Sequence, residues 1–361
     1  MNVWPAARQR VLVAPDSFGG SMSAGEAADA IAAGWREAST TDTVTTVPLS
    51  DGGPGFVDVL AAGLQGRLVE VEVGDPLGRS TRGAVLVVDS GGRRTAYVES
   101  AQACGLHLLR PPERDPSRTT SAGVAALLRA ALSAGADRIV VGLGGSGTSD
   151  AGSGMIESLA ADAEGMRGVD LVVATDVDNP LLGPLGATAV FAAQKGATPD
   201  MMPVLEERLA RFADLLGPEL AQVPGAGAAG GLGFALFALG GHRESGADLV
   251  LRELDVAGLI AASDLVVTGE GSLDGQSLRG KLPVRVAAGC LDAAVPCVAI
   301  AGRVMLGRRE VAATGFAGAY SIEVYAGSLE AAIALGAPGL RGLAAQVAPL
   351  WRLGVPSSGG L

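Results

Sequence analysis

Short apolar runs, each breaking into a turn rich in Gly, Ser and Asp and then into an Ala-rich helical pattern, constrain this chain most. Val11-Leu12-Val13-Ala14 runs into Pro15-Asp16-Ser17-Phe18-Gly19-Gly20-Ser21-Met22-Ser23 and then a helix predicted over Ala24–Trp35. Ser23 with Glu26 three residues on forms a capping box. A second strand, Thr43–Val47, leads through Ser50-Asp51-Gly52-Gly53-Pro54-Gly55-Phe56 to a helix over Val57–Gly63. Two successive strand, loop, helix units begin a parallel sheet, and open sheets of that kind bind ligands beyond the C-terminal ends of their strands. Asp16, Ser17 and Asp51 stand at such ends.

From Arg67 the rhythm changes. Leu68–Val73, Arg82–Val88 and Arg93–Glu99 alternate and are separated by Asp75-Pro76-Leu77-Gly78 and Asp89-Ser90-Gly91-Gly92, which are hairpin signals. A second domain is expected to begin here, inserted into the first. Strand, loop, helix alternation then resumes: a helix over Ser121–Gly135, strands at Arg138–Val141 and Leu171–Ala174, and an apolar run at Ala189–Ala192. A helix over Met201–Leu216 and a Gly/Ala loop at Gly225–Gly233 follow. Near Asp248–Ala262 the chain is expected to return to the first domain, which continues through Leu265–Thr268, a helix over Val284–Asp292 and Cys297–Ala301. The expected division is 1–66 with 255–361 for one domain and 67–254 for the inserted one. Met1–Arg10 reads as a ragged start and Pro356–Leu361 as a disordered tail.

The most glycine-rich hand-over from strand to helix is Gly142-Leu143-Gly144-Gly145-Ser146-Gly147-Thr148-Ser149-Asp150-Ala151-Gly152-Ser153-Gly154. Unpaired amides and the positive dipole end of a helix bind anions there, and Gly lets the backbone approach a phosphate. A carboxylate in such a turn, Asp150, is repulsive to phosphate unless it holds a metal ion or a substrate hydroxyl. The pattern therefore points to phosphoryl transfer. The same letters fit the G-x-G-x-x-G dinucleotide signature, which is weak in a chain with 54 Gly. No acid closes a second strand about 20 residues on, as ribose binding needs. A tight turn of purely structural purpose is the third reading.

At 361 residues the chain exceeds what one core usually fills, which also favours two domains. Its net charge of −11 argues against nucleic acid as a partner. Three cysteines, Cys104, Cys290 and Cys297, lie in apolar settings without zinc spacing and read as buried thiols of a cytoplasmic protein. The apolar strand-like runs are far shorter than the ~20 residues that span a bilayer, and no signal-peptide core precedes Asp16, so no membrane association is expected. With only His107 and His242, a His-based triad or metal site is not expected.

Polar clusters recur after the apolar runs: Asp16/Ser17, Asp51, Asp150, Asp176/Asp178/Asn179, Gln194/Lys195 and Glu270/Asp274/Lys281. Any one of them could be a turn or a cap; their recurrence is what points to a site. Of 27 Lys and Arg residues only Lys195 and Lys281 are Lys, and both stand in Gly-flanked polar loops, where a compact, flexible ammonium has a use. Gly275–Leu282 nearly matches a Walker A loop, but Leu282 occupies the place of the metal-ligating Ser or Thr and no strand immediately precedes it. Lys281 remains a candidate phosphate contact.

Taken together, Ala14-Pro15-Asp16-Ser17-Phe18, Gly20-Ser21, Asp51-Gly52-Gly53, Asp176-Val177-Asp178-Asn179-Pro180, Gln194-Lys195-Gly196-Ala197-Thr198, Gly225–Gly231 and Thr268-Gly269-Glu270-Gly271 through Asp274-Gly275-Gln276 to Gly280-Lys281 resemble the two-domain bacterial glycerate kinase family, from about Val11 to Ala348. The resemblance implies an α/β protein with a Rossmann-like parallel-sheet domain and an inserted α/β domain with a mixed sheet. It also implies ATP-dependent phosphorylation of glycerate, usually to 2-phosphoglycerate, in a cleft between the domains. On that reading Asp16, Ser17, Ser21, Gly144, Gly145, Ser146, Gly227, Gly230 and Glu270 would contact nucleotide or substrate. Asp176 and Asp178 would bind Mg²⁺ or orient the acceptor. Asp51 or Asp274 would take the hydroxyl proton, with Lys195 and Lys281 stabilising the transferred charge. The chain departs from the family pattern at Ser149, which replaces an amide in the glycine loop, in a shorter connection between Ala160 and Val169, and at Gly19, where the family has Lys, and Pro54, where it has Glu. They keep open a second reading, a nucleotide- and hydroxy-acid-binding protein with a regulatory role and impaired turnover. A related small hydroxy acid as acceptor, and a homodimer as the assembly, are also left open.

Overall fold

The computed structural model describes residues 8–275 and 277–352. The start up to residue 7, Gln276 and the tail Pro356–Leu361 therefore lie outside the described residues. The chain divides into two compact units, Met1–Ser50 with Leu251–Leu361, and Asp51–Val250. In chain order the strands are β1 (Arg10–Pro15), β2 (Thr43–Thr46), β3 (Arg67–Gly74), β4 (Ser80–Ser90), β5 (Arg93–Glu99), β6 (Arg138–Gly142), β7 (Asp170–Ala174), β8 (His242–Glu244), β9 (Leu265–Gly269), β10 (Ser272–Leu273), β11 (Cys297–Ala301), β12 (Arg303–Val304) and β13 (Gly318–Ser321).

The first unit holds a five-stranded, wholly parallel sheet in the order β13-β11-β9-β1-β2. Numbered within the unit this is 2-1-3-4-5, a doubly wound order whose direction reverses between β1 and β9. That crevice lies at the ends of Ala14-Pro15 and Thr268-Gly269, which pair in register. β9 and β11 are buried along their whole length, as helix-covered parallel strands must be. The helix Ala24–Ala38 starts at the expected box, with Ser23 Oγ accepting from the Glu26 amide and Glu26 accepting from the Ser23 amide. It packs on the helix Leu329–Val347, and a Cβ on Gly34 would stand 2.0 Å from the Arg341 carbonyl, so only Gly permits this approach. Leu329–Trp351 is long and apolar enough to cross a membrane by length and composition. Its Leu340, Leu343, Ala344 and Val347 instead join Ile31 and Trp35 in the core.

The second unit holds a six-stranded mixed sheet, β3-β4-β5-β6-β7-β8, antiparallel across the two hairpins and parallel from β5 to β8. Its core gathers Val85, Val98, Leu127, Ile139, Val141, Val173 and Phe234 between the sheet and its helices. The helix Phe56–Gly63 belongs to this unit, so the first boundary falls after Ser50 and not at 66. Packing is the reason: Phe56 meets the ring of Tyr97 on β5 edge-on at 6.3 Å, and the Val57 amide donates to Glu99 at the end of β5. Asp51 thus travels with the inserted unit. Ala189–Ala192 forms no strand; the apolar run lies at the end of a short helix, Ala187–Phe191.

Candidate active site

In the first unit the polar residues converge where the strand order reverses. The turn after β1 is fixed by the Asp16 amide donating to Gly269 O at 2.8 Å and by the Ser17 amide donating to Asp16 Oδ1. Ser21 folds back on the turn, its hydroxyl donating to Phe18 O at 2.5 Å. Asp16 and Ser17 are half-buried and Ser21 is exposed. Beyond β9, Glu270 is nearly buried, and burial pushes its carboxyl above the ordinary carboxylate range while Ser277 and Lys281 oppose the shift. Ser277 Oγ donates to Glu270 Oε1 at 2.6 Å and accepts from the Asp274 amide. Lys281 Nζ lies 3.4 Å from Glu270 Oε2 and 3.9 Å from Asp274 Oδ1, with its side chain 40% exposed. The ammonium is thus aimed by two carboxylates and still open to solvent, which suits contact with an anionic group.

In the second unit the C-terminal ends of the parallel strands carry a different cluster. The Asp51 turn lies against β6 and β7 because glycines leave room for it. A Cβ on Gly142 would stand 2.6 Å from Gly52 O, one on Gly144 2.6 Å from Gly53 Cα, and one on Gly246 1.9 Å from Asp51 O. Asp51 itself is exposed, its Oδ1 accepting from the Gly53 amide. Gly144 is partly exposed and Gly145, with φ +62°, is exposed. A Cβ on Gly145 would stand 2.5 Å from Pro54 Cγ, so both glycines are needed for the close approach of the Asp51 turn.

The rest of the glycine-rich stretch does something else. Asp150 is buried, and its carboxylate accepts from the Ser121 amide and hydroxyl and from the amides of Gly152 and Gly154. It closes off the first turn of the helix Ser153–Leu159, so no helix end is open to an anion there. Lys195 is buried to 2% exposure; its ammonium donates to Ser146 Oγ at 2.8 Å and to Thr148 O at 2.6 Å. Burial brings its pKa down to about 8, against the pull of Cys104 and Asp150. Against the expectation of a charge-stabilising catalytic lysine, Lys195 is an internal clamp. Ser146, expected to bind cofactor, is its partner.

Gly227 and Gly230, expected to contact the nucleotide, are likewise close-packing glycines. The Gly227 amide donates to Asn179 O, and a Cβ there would stand 2.2 Å from Pro180 O. A Cβ on Gly230 would stand 1.9 Å from Thr148 O and 2.9 Å from Lys195 Nζ. Ala229, Gly230 and Gly231 are all left-handed, and this is what folds the loop onto the lysine.

The two proposed metal ligands already have partners. Asp176 accepts from Ser245 Oγ at 2.6 Å and from the Ala247 amide, capping the helix Gly246–Glu253. Asp178, 75% exposed, pairs with Arg243 at 2.6 Å. No group of three or more Asp, Glu, His or Cys side chains able to hold a metal occurs among the described residues. Asp176 does not fit as a ligand while it caps the helix. Asp178 is exposed enough to exchange Arg243 for an ion that arrives on a nucleotide, since Mg²⁺ usually keeps several waters and takes only one or two carboxylates.

Two residues escaped the sequence reading. Ser277 sits in the already suspicious Gly275–Lys281 stretch and could have been found as the hydroxyl beside Asp274. Glu99 carried only one signal, a lone carboxylate ending an apolar strand.

The sequence profile of the glycerate kinase family matches residues 11–168 and 162–352. An uncharacterised protein of Mycobacterium bovis is 47% identical over 348 residues, covering 94% of this chain and 91% of the relative. The glycerate kinase of Bacillus subtilis is 40% identical over 345 residues, covering 87% and 90%. The glycerate 2-kinase of Escherichia coli is 38% identical over 325 residues, covering 81% and 85%. A solved structure from Salmonella typhimurium LT2, named as a glycerate kinase 2, superposes with a TM-score of 0.72 at 35% identity, over 95% of this chain and 98% of that one. With these matches spanning both units, the chain belongs to the glycerate kinase family and is a phosphotransferase.

Proposed function

We propose that this kinase transfers the γ-phosphoryl group of ATP to glycerate, or to a closely related small hydroxy acid, and that glycerate gives 2-phosphoglycerate. The observation that carries the reading is the polar set at the strand-order reversal of the first unit, Asp16, Ser17, Glu270, Asp274 and the half-exposed Lys281. Doubly wound sheets bind their ligands at that place. Phosphoryl transfer asks a protein for positioning and charge neutralisation more than for covalent chemistry. Lys281 supplies a cation whose direction is set by Glu270 and Asp274. Asp16, Ser17 and Ser21 would supply polar contacts for phosphate or carboxylate oxygens in the first unit, and the amides of Gly144 and Gly145 would do so in the second.

Asp51 is the proton acceptor in this proposal because its carboxylate is exposed at the ends of the parallel strands. As the acceptor oxygen bonds to phosphorus, its proton passes to Asp51, the bond from the γ-phosphorus to the bridging oxygen breaks, and ADP leaves. Mg²⁺ carried on the nucleotide would neutralise phosphate charge, and Asp178 would be the carboxylate that meets it. Lys195 and Asp176 act as supports, holding the Ser146 loop and the helix Gly246–Glu253. Buried free thiols at Cys104, Cys290 and Cys297 suit a reducing cytoplasm, where we place the reaction.

The test is ADP release with ATP, Mg²⁺ and D-glycerate by the wild type, Asp51→Asn, Asp178→Asn and Lys281→Ala. Turnover by the wild type and its loss in Asp51→Asn and Lys281→Ala is expected. Wild-type turnover unchanged in both would remove the site.

A further inference from the structure

We propose that Glu99 is a positioning residue for the Asp51 turn: its carboxylate, arriving from the end of β5, holds the first turn of the helix Phe56–Gly63 and so fixes where Asp51 sits. The inference rests on the reading of Asp51 as the proton acceptor. Asp51-Gly52-Gly53-Pro54 leads directly into that helix, whose N-cap position is Gly55 at φ +91° with no side chain to satisfy the first amides. The missing cap comes from another strand. Glu99 is 4% exposed, and its Oε2 accepts from the Val57 amide at 3.3 Å, with the Gly55 backbone and the Gln102 side chain as further hydrogen-bond partners. A carboxylate there also meets the positive end of the helix dipole.

The same carboxylate is a poor choice for stability alone. Burial, reinforced by the negative charge of Asp58, pushes Glu99 up to about 7, with the amides of Gly55 and Val57 and the Gln102 side chain opposing the shift. Asp58, on the helix itself, is the charged group that faces it; Gln102, from Ala101–Cys104, is polar and neutral. Between about pH 4.5 and 7 the folded chain holds a proton that the unfolded chain has released, so protonation stabilises the fold. That same proton removes the charge that anchors the helix. A buried acid that lowers stability when ionised, and holds the helix into which the turn of a proposed catalytic carboxylate leads, fits a role in the site. Activity should therefore fall as pH drops through about 7, through loss of the anchor, while the fold itself survives.

The experiment compares kcat and KM across pH for the wild type, Glu99→Gln and Asp51→Asn. Gln keeps the shape but stays neutral. Expected is a kcat for Glu99→Gln about ten- to a hundredfold below wild type on the alkaline side, with no remaining inflection near pH 7 and an unchanged KM for the nucleotide. An inflection that persists in Glu99→Gln overturns the proposal. The protection factor of the Val57 amide in the wild type gives an independent reading, usable also if Glu99→Gln does not fold. It should drop about tenfold as pH falls through about 7, and a flat profile overturns the proposal. An active Asp51→Asn would instead sink the role given to Asp51, with the Val57 amide still deciding whether Glu99 anchors the turn.

Discussion

Replacing Lys195 by Met separates a clamp from a catalytic cation. The two side chains are of similar length, so the change removes mainly the charge and its two donations, to Ser146 Oγ and Thr148 O. At neutral pH two opposing effects blur the outcome: relief of charge burial, and loss of hydrogen bonds to a charged donor at about 1.5–3 kcal/mol each. The pH dependence is cleaner. The folded-state pKa of Lys195 is about 8, below the ordinary 10.5. Below about pH 8 folded and unfolded chains both carry the proton, and the burial penalty is present in full. As pH rises from about 8 towards 10.5 the unfolded chain binds more protons, so the wild type gains stability, in total about 3 kcal/mol. Lys195→Met lacks this gain. Urea unfolding across that window, with the second unit identified by amide protection of its core strands, should show the wild-type stability rising by about 3 kcal/mol relative to the variant. Parallel curves would refute the buried clamp and return Lys195 to solvent and to direct phosphate contact.

Gly246→Ala places a Cβ 1.9 Å from the Asp51 carbonyl, so the turn must move. Stability should fall by about 1–3 kcal/mol and kcat by more than KM rises, measured by unfolding and steady-state kinetics. Ser277→Ala takes away a 2.6 Å donation to buried Glu270 and should cost about 1.5–3 kcal/mol. It should also raise the Glu270 pKa further, visible as an upward shift of any acidic limb assigned to that residue by Glu270→Gln. Gly19→Lys puts a cation where the Cβ has open space but φ is +54°, a strain of about 1–2 kcal/mol. It should raise kcat/KM for ATP despite lower stability, and an unchanged value would show that no phosphate passes near residue 19.

Much of the fold could be read from the order of residues because parallel strands buried on both faces are uninterrupted apolar runs. Val11–Ala14, Arg138–Val141, Leu171–Ala174, Leu265–Thr268 and Cys297–Ala301 all became strands. Local chemistry was also legible, as the Ser23 and Glu26 box shows. Packing between distant segments was not. Phe56 and Val57 join the second unit through Tyr97 and Glu99, more than 40 residues away in sequence, and no local pattern reports that.

The glycines show the same limit at the candidate site. A Gly that admits a phosphate and a Gly that admits a neighbouring segment are the same letter, so the close packing at Gly144, Gly145, Gly227 and Gly230 could not be read from the sequence. Lys195 stood in a polar, Gly-flanked loop that reads as solvent-facing, yet the left-handed turn at Ala229–Gly231 closes over it. Asp150, read as a metal or hydroxyl ligand because it is repulsive to phosphate, caps a helix that was itself correctly anticipated. The Glu270, Asp274 and Lys281 cluster needed no such distant partner; it is assembled within twelve residues, and it stands where the sequence put it.

Phosphorus NMR of wild type, Asp51→Asn and Lys281→Ala, each incubated with ATP, Mg²⁺ and D-glycerate, tests the central claim most directly. A phosphomonoester signal coupled to the C2 proton of the acid should grow in step with ADP for the wild type and be nearly absent for both variants. A wild type that leaves glycerate and related hydroxy acids unphosphorylated, or variants that match its rate, would contradict it.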